Sequence, residues 1–203
     1  MRLLSEVIKK LFEIISGHSK QKTISIHNQE TKAENDLYLT GSGDMLHLYN
    51  NLGIEINSFT PSHKSSLQTW LPYFNNHKVI AVHNTFTDME DVQFAKDVNY
   101  CICINANLYI EDTNPPIEML IAQNAHIVIG TDSLASNDSL NIWNEIQTIQ
   151  KHFPDIALET ILKWATSNGA KALAVSEKLG SFAKGKSPGV VQINEDAKLI
   201  VST

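Results

Sequence analysis

The sequence lacks the features that would tie it to a membrane or to nucleic acid. None of its apolar stretches approaches the ~20 residues that a helix needs to cross a bilayer. Basic residues are also few, with 16 Lys and Arg against 22 Asp and Glu. The resulting net charge of −6 disfavours contact with nucleic acid or with anionic lipid. We therefore expect neither a nucleic acid nor a membrane among its partners.

Cysteine is scarce, and Cys101 and Cys103 are the only two. Their alternation places both side chains on one face of a predicted strand. Because a C-x-C spacing alone is weak evidence for a metal site or a disulfide, we interpret them as buried free thiols of a cytoplasmic protein. The sequence also lacks a G-x-G-x-x-G loop, which disfavours an open α/β module that binds nucleotides.

The sequence does contain a regular alternation of short apolar strands and helices. Its N-terminal segment has Glu6 and two lysines within an apolar pattern, which indicates an amphipathic helix rather than a signal peptide. Alternation of this kind predicts a parallel sheet with right-handed crossovers. The predicted strands are 23–26, 79–82, 100–104 and 125–129, followed by a small β element at 190–193 and 198–201. The predicted helices are 2–16 (ended by Gly17), 43–51, 61–70 (capped by Ser62), 88–97, 115–124, 138–152 and 158–175, with a polar loop before residue 43.

Three of the four predicted strands lead into a residue that can bind a metal or move a proton: His27, His83 and Asp132. The carboxyl ends of parallel strands meet at one edge, so these side chains are expected to converge. Two histidines and an aspartate suit Zn²⁺ or Fe²⁺, and Glu30 is placed to carry a proton. The alternatives are structural histidines, a helix or turn cap at Asp132, and a solvated helix start at Glu30.

Four motifs then occur in order: S-I-H-N-Q-E-T-K-A-E (25–34), A-V-H-N-T (81–85), C-I-N-A-N-L (103–108) and I-G-T-D-S-L-A-S-N (129–137). Together they resemble the amidohydrolase superfamily, in its branch of cytosine deaminases, chlorohydrolases and S-adenosylhomocysteine deaminases. The segment 180–193 is similar to that family's return into its small β-sandwich. The resemblance implies an α/β fold, namely the C-terminal half of a (β/α)8 TIM-type barrel in residues 1–180 and a short β tail in 181–203.

The resemblance also implies roles for the residues at the strand ends. His27 and Asp132 would bind a Zn²⁺ or Fe²⁺ ion, and Glu30 would transfer a proton to the substrate. His83 would polarise the attacking water or the substrate, and Asp132 would also take a proton from that water. Asn107 falls at the asparagine of the family's C-P-x-S-N pattern, as a substrate-binding residue. The implied activity is that of a metal-dependent hydrolase acting on an aminated or chlorinated heterocycle.

Two departures from the family pattern limit this reading. Ile104 replaces the proline of C-P-x-S-N, and no two of the eight histidines are two residues apart, so the H-x-H pair of metal ligands is missing. A whole barrel needs ~250 residues, and four strands cut from one have two open edges and an apolar inner face without its opposite wall.

We therefore expect the chain to self-associate, to pair with a separate N-terminal half, or to be a fragment of a longer enzyme. On its own it is expected to bind metal weakly or not at all and to be inactive. Its expected partners are a small-molecule substrate and either that N-terminal half or a second copy of itself. The alternative is a truncated, non-catalytic remnant that acts as a folded binding or self-associating module.

Overall fold

The computed structural model describes residues 3–18, 22–57, 59–193 and 199–202. Four parallel strands form one sheet in the order β1-β2-β3-β4, so each strand pairs with the next one along the chain. This sequential parallel order is that of a barrel wall. The strands are β1 (Thr23–Asn28), β2 (Lys78–His83), β3 (Asn99–Ile102) and β4 (His126–Ile129).

Helices connect the strands, and a small antiparallel hairpin follows them. No helix in the described ranges is long and apolar enough to cross a membrane. The helices are α1 (Leu3–His18), α2 (Lys32–Thr40), α3 (Asp44–Asn51), α4 (Ser66–Trp70), α5 (Met89–Phe94), α6 (Ile104–Glu111), α7 (Ile117–Ala122), α8 (Ile142–His152), α9 (Leu158–Lys163) and α10 (Gly169–Ala172). A 3-10 helix covers Leu71–Phe74, a π-helix covers Trp164–Asn168, and the hairpin consists of β5 (Val190–Ile193) and β6 (Leu199–Ser202).

Alternating side chains divide the sheet into two faces. On the outer face, residues such as Ala81, Tyr100 and Ile102 are completely buried against the helices and form the main core. The inner face carries a smaller cluster, in which the exposed fractions of Ile80 and Val128 are 8% and 4%. The sheet therefore separates a large helix-covered core from a thin inner layer.

The inner face is better covered than the sequence suggests. Ala106 of α6 and Ala172 of α10 join the inner cluster, and the hydroxyl of Thr23 donates to the carbonyl oxygen of Ala172 at 3.1 Å. Helical residues thus cover part of the inner face of the sheet. Ser25 and His27 lie on this inner face of β1 and remain exposed.

Two helices stand where we predicted other structure. The polar loop before residue 43 is instead helix α2, which buries only Leu37 and therefore shows little apolar periodicity. Strand β3 ends at Ile102 rather than at residue 104, and α6 begins at Ile104. The N–H of Asn107 donates to the carbonyl oxygen of Cys103 at 2.9 Å, which closes the first helical turn directly after the strand.

Several predicted helix ends are also wrong. Helix α1 continues through Gly17 to His18, and α4 begins at Ser66, capped by Ser65 rather than Ser62. Helix α8 begins at Ile142 because Asn141 accepts the N–H of Trp143. Helix α5 is capped by Asp88 and ends at Phe94. The predicted starts Arg2 and Lys198 lie outside the described residues, and the domain boundary at 180/181 stays a prediction.

The two cysteines are free and buried in this fold, as their spacing predicts. Both belong to the inner-face cluster. A hydrogen bond with Cys101 and burial raise the pKa of the Cys103 thiol far above its ordinary value, and the nearby carboxylates of Glu145 and Asp132 act in the same direction. The Cys103 thiol is therefore a protonated packing group in this chain.

Candidate active site at the carboxyl ends of the strands

His27, Glu30 and His83 lie together at the carboxyl edge of the sheet. The two histidines lie near the ends of the adjacent strands β1 and β2, and their rings meet edge to face with 4.8 Å between centroids. One ligand atom from each of the three residues lies within 4.8 Å of the others. The sequence prediction that these side chains converge is therefore realised for this group.

His83 is the deeply placed member of the group, with a side chain that is completely buried. Its Nδ1 atom lies 2.9 Å from Oδ1 of Asn107, and its Nε2 atom lies 3.4 Å from Oε1 of Glu30. Nε2 has no hydrogen-bond partner among the residues that the structure describes. A buried ring nitrogen without a partner, directed at a carboxylate and a second imidazole, marks a position for a ligand.

Positive φ angles shape both strand ends. Gln29, His83 and Asn84 have φ of 48°, 77° and 57°, in the left-handed region that non-glycine residues seldom adopt. Side-chain amides hold them there, because Nδ2 of Asn28 donates to Oε1 of Gln29 at 2.9 Å and to Oδ1 of Asn84 at 3.0 Å. Such backbone strain persists only where surrounding contacts fix it, and it is common at functional sites.

Asp91, at the start of α5, anchors this amide network. Its carboxylate accepts the Nε2 proton of Gln29 at 2.6 Å and that of Gln68 at 3.0 Å, together with the hydroxyl of Ser65. Asp91 also completes a capping box with Asp88. A buried helix start thereby fixes the turn that presents Glu30.

Glu30 lies at the mouth of the site and has a second carboxylate beside it. The N–H of Glu30 donates to Oε2 of Glu34 at 3.2 Å, and the hydroxyl of Ser66 donates to the other oxygen of Glu34. Burial raises the pKa of Glu34 and the Glu30 carboxylate adds to the shift, whereas the hydroxyl and N–H donors act against it. The site therefore contains two neighbouring carboxyl groups in different surroundings.

Asp132 follows β4 but is not a member of the three-residue group found among the described residues. It has a φ of 58°, and its Oδ2 atom accepts the hydroxyl proton of Ser136. The structure thus brings His27, Glu30 and His83 together and places Asn107 against His83, whereas Asp132 is held in its own loop.

Glu145 is a buried carboxylate that the sequence did not single out. Its oxygens accept the backbone N–H of Asn105 at 3.2 Å, the side-chain amide of Asn105 at 2.8 Å and that of Asn137 at 2.6 Å. Burial raises the pKa of Glu145, although these donors act in the opposite direction. A glutamate within the apolar pattern of a helix gives no sequence signal of such a role. The asparagines that bond it, Asn105 and Asn137, offer only a weak signal.

The donor set fits a divalent transition metal. Two imidazoles and a carboxylate are the ligands that Zn²⁺ and Fe²⁺ accept in hydrolytic sites. The unpartnered Nε2 of the buried His83 is the observation that supports the fit, since an ordinary structural histidine would satisfy that atom.

Parallel strands in sequential order, with histidines and carboxylates at their carboxyl edge, define the wall of an α/β barrel of the metallohydrolase type. The chain belongs to the amidohydrolase family, whose model matches residues 5–199. This confirms the resemblance that the four motifs indicate.

Several curated relatives of the chain are deaminases. A 5′-deoxyadenosine deaminase of Methanocaldococcus jannaschii is 29% identical over 133 residues, which cover 61% of this chain and 31% of that protein. A 5-methylthioadenosine/S-adenosylhomocysteine deaminase of Thermoanaerobacter pseudethanolicus is 31% identical over 126 residues, or 58% of this chain and 29% of that protein. The matches thus span about a third of the relatives' own length.

Solved structures show the same partial coverage. An adenosine deaminase from Xanthomonas campestris with bound zinc has a TM-score of 0.63 at 25% identity, covering 89% of this chain and 39% of that one. Helicobacter pylori aminofutalosine deaminase superposes with a TM-score of 0.74 at 21% identity, covering 89% and 46%. Together with the four parallel strands, these likenesses confirm the expected partial barrel.

Proposed function

We propose that this chain provides one wall of an active site that hydrolyses a C–N bond of an aminated heterocycle. The observation that supports the proposal is the convergence of His27, Glu30 and His83 at the carboxyl edge of the sheet, where α/β barrels place their chemistry. Membership in the amidohydrolase family and the deaminase relatives support the reaction class. A purine nucleoside or thionucleoside of the kind those relatives are named for is the proposed substrate.

His27 and Asp132 are the residues that would hold Zn²⁺ or Fe²⁺, with His83 beside the ion. Asp132 would have to leave its contact with Ser136 for this, because the described structure groups His27 with Glu30 and His83. When bound, such an ion acts as a Lewis acid and makes water nucleophilic near neutral pH. The chain's own contribution is to fix the two imidazoles on adjacent strands and to keep Nε2 of His83 available toward the centre of the site. His83 would thereby polarise the attacking water or the substrate.

Glu30 is the proposed proton carrier. Its side chain is 26% exposed, so it faces the mouth of the site, while its backbone N–H is held by Glu34. A carboxylic acid at this position can donate its proton to a ring nitrogen, which makes the adjacent carbon more electrophilic. General acid–base catalysis of this kind contributes about 10²- to 10⁴-fold to a rate.

Asp132 is the proposed second proton acceptor. Its carboxylate already accepts a hydroxyl proton, from Ser136, and the attacking water would take the place of that hydroxyl. The proton would then pass to the leaving amine, so that ammonia departs as a neutral molecule. Two carboxylates with separate protons to move match the two proton transfers that a hydrolytic deamination requires.

The site needs ligands that this chain does not contain. Its sequence has no H-x-H pair, and the aligned part covers only 31% of the Methanocaldococcus relative. We propose that a second polypeptide segment with the other four strands, or less completely a second copy of this chain, closes the barrel. Activity is expected only after this closure.

The test is reconstitution. The chain is co-produced with a segment that carries the first four strands and the H-x-H pair of the Thermoanaerobacter deaminase, and the complex is purified. Ammonia release is then measured with methylthioadenosine, S-adenosylhomocysteine and 5′-deoxyadenosine, and chloride release with a chlorinated triazine. We expect ammonia release and stoichiometric zinc or iron in the complex, and less metal in the chain alone.

Three variants assign the roles. Glu30→Gln and Asp132→Asn are each expected to lower kcat by at least about 10²-fold, whereas Glu118→Gln, an exposed helix carboxylate, should leave it unchanged. Full activity of Asp132→Asn would contradict the role given to that residue. A stable, metal-loaded complex without activity on any of these substrates would favour the non-catalytic remnant.

A further inference from the structure

Among the described residues, the side-chain amide of Asn107 makes two hydrogen bonds, and both are with His83. Its Oδ1 atom lies 2.9 Å from Nδ1 of the imidazole, and its Nδ2 atom donates to the backbone carbonyl oxygen of His83 at 3.3 Å. The side chains of both residues are completely buried. The amide therefore clamps the ring and the backbone of the same residue.

The backbone contact determines which way the amide faces. A peptide carbonyl oxygen can only accept a hydrogen bond, so the NH₂ group of Asn107 must be the atom group next to it. A flipped amide would place two acceptors 3.3 Å apart in a buried environment. The carbonyl oxygen of Asn107 must then face Nδ1, and it can be satisfied only if Nδ1 carries the proton.

We propose that Asn107 is a positioning residue that fixes His83 as the Nδ1–H tautomer and thereby keeps the lone pair of Nε2 directed into the site. The structure supports this because Nε2 has no hydrogen-bond partner among the described residues. This role differs from the substrate contact that the resemblance implies for Asn107, since both polar groups of this buried amide face His83. The use of that lone pair for metal or substrate rests on the proposed function, whereas the tautomer itself does not.

The clamp acts against an opposing influence. Oε1 of Glu30 lies 3.4 Å from Nε2, and a carboxylate at that distance favours a proton on Nε2 rather than on Nδ1. The effect of Asn107 on the position of the ring proton outweighs that of Glu30, because the contact of Asn107 with the ring is shorter and its amide is anchored at a helix start. The N–H of Asn107 donates to the carbonyl oxygen of Cys103, which holds the residue in the first turn of α6.

The experiment reads the tautomer directly. The full chain is labelled with ¹⁵N-histidine, and long-range ¹H–¹⁵N correlation spectra are recorded without added metal at mildly alkaline pH. The pattern of couplings from the ring carbons' protons shows which nitrogen is protonated, and His83→Gln identifies the signals of His83. We expect the Nδ1–H form at this residue.

Two variants separate tautomer control from a structural role. Asn107→Leu removes the acceptor beside Nδ1. The proton should then move to Nε2, because the Glu30 carboxylate favours a proton on that nitrogen. Asn107→Asp loses the N–H donor to the backbone carbonyl oxygen of His83 but keeps an acceptor beside Nδ1, and the proton should remain on Nδ1. The matched control is Asn99→Leu, which removes another amide donor to a β2 carbonyl, that of Val79, and should leave the His83 spectrum unchanged.

Several results would overturn the proposal. A wild-type spectrum with Nε2–H or with both nitrogens protonated contradicts it without any variant, so the test holds even if Asn107→Leu fails to fold. Retention of Nδ1–H in a folded Asn107→Leu protein contradicts it as well. A reconstituted barrel without deaminase activity would refute the proposed function, yet it would not alter the expected spectrum.

Discussion

The need for glycine at position 130 comes from neighbouring side chains and not from an unusual backbone angle. Gly130 directly follows β4, yet it is not among the positive-φ residues of the described ranges. A Cβ atom at this position would lie 2.8 Å from Sγ of Cys101 and 3.2 Å from Sγ of Cys103. The inner face of the sheet has room for two thiols only because the neighbouring strand carries no side chain here.

Gly130→Ala should therefore destabilise the chain. Overpacking against two buried sulfur atoms is expected to lower the free energy of unfolding by about 1–3 kcal/mol. Gly17→Ala is the matched control, because nothing lies within 4 Å of a Cβ there and alanine favours the helical backbone by up to about 1 kcal/mol. Urea denaturation of both variants tests whether the free energy of unfolding falls in Gly130→Ala and rises in Gly17→Ala. Equal midpoints for the two variants would contradict this explanation.

At the scale of elements, the buried network around Asp91 joins the carboxyl ends of β1 and β2 to the start of α5. The Asp91 carboxylate accepts hydrogen bonds from Gln29, Ser65 and Gln68. It therefore connects the residue after β1 (Gln29), the cap of α4 (Ser65) and α4 itself (Gln68). Hydrogen bonds to a charged, buried acceptor are stronger than neutral ones. The geometry of the site thus depends on contacts behind it.

Asp91→Asn tests this dependence. The new amide offers one acceptor where the carboxylate has two, so a donor is left unsatisfied in a buried place. We expect a loss of about 2–3 kcal/mol in the free energy of unfolding. Asp97→Asn, at an exposed position, should change it by less than about 0.5 kcal/mol. If both variants unfold at the same denaturant concentration, the network does not carry this stability.

The sequence predicts helices and strands correctly where apolar residues are concentrated, and it does not predict them where apolar residues are sparse. All four strands are confirmed, because apolar runs are the strongest local signal. Helices α2 and α6 were missed because the first buries a single residue, Leu37, and the second follows β3 without a loop. Both depend on tertiary contacts that no local pattern encodes.

The residues of the site also divide into those whose position the sequence could predict and those whose position it could not. Convergence of His27, Glu30 and His83 follows from parallel topology and could be predicted from strand ends. The position of Asp132 could not, because its hydrogen bond with Ser136 competes with the shared site. The contact between Asn107 and His83 depends on the start of α6, which the sequence did not reveal.

At the scale of the whole molecule, the two edge strands are unequally protected. In the described sheet, β1 and β4 each pair with one neighbour. The π-helix covers part of β4, where Nδ2 of Asn168 donates to the carbonyl oxygen of Ile127 at 3.0 Å. Because β1 pairs on one side only and its inner-face residues Ser25 and His27 are exposed, we expect association at β1.

Sedimentation velocity should therefore show concentration-dependent association of the purified chain. Ser25→Lys places a charge on the exposed inner face of the edge strand and is expected to shift the protein toward the monomer. Ser42→Lys, in the turn between α2 and α3, adds the same charge elsewhere and should not. A monodisperse wild-type monomer at all concentrations would contradict the prediction.

The amide network behind the strand ends has a consequence for how the site is completed. Asn28, Gln29 and Asn84 are completely buried within this chain, so the presentation of Glu30 and His83 is preorganised before any second half arrives. Under the proposed function, a second half that docked here would meet a surface that is already ordered, and the entropy of ordering this wall would be lost during folding rather than during binding. We therefore expect that second halves of different sequence could complete this wall, provided that they bring their own ligands into register.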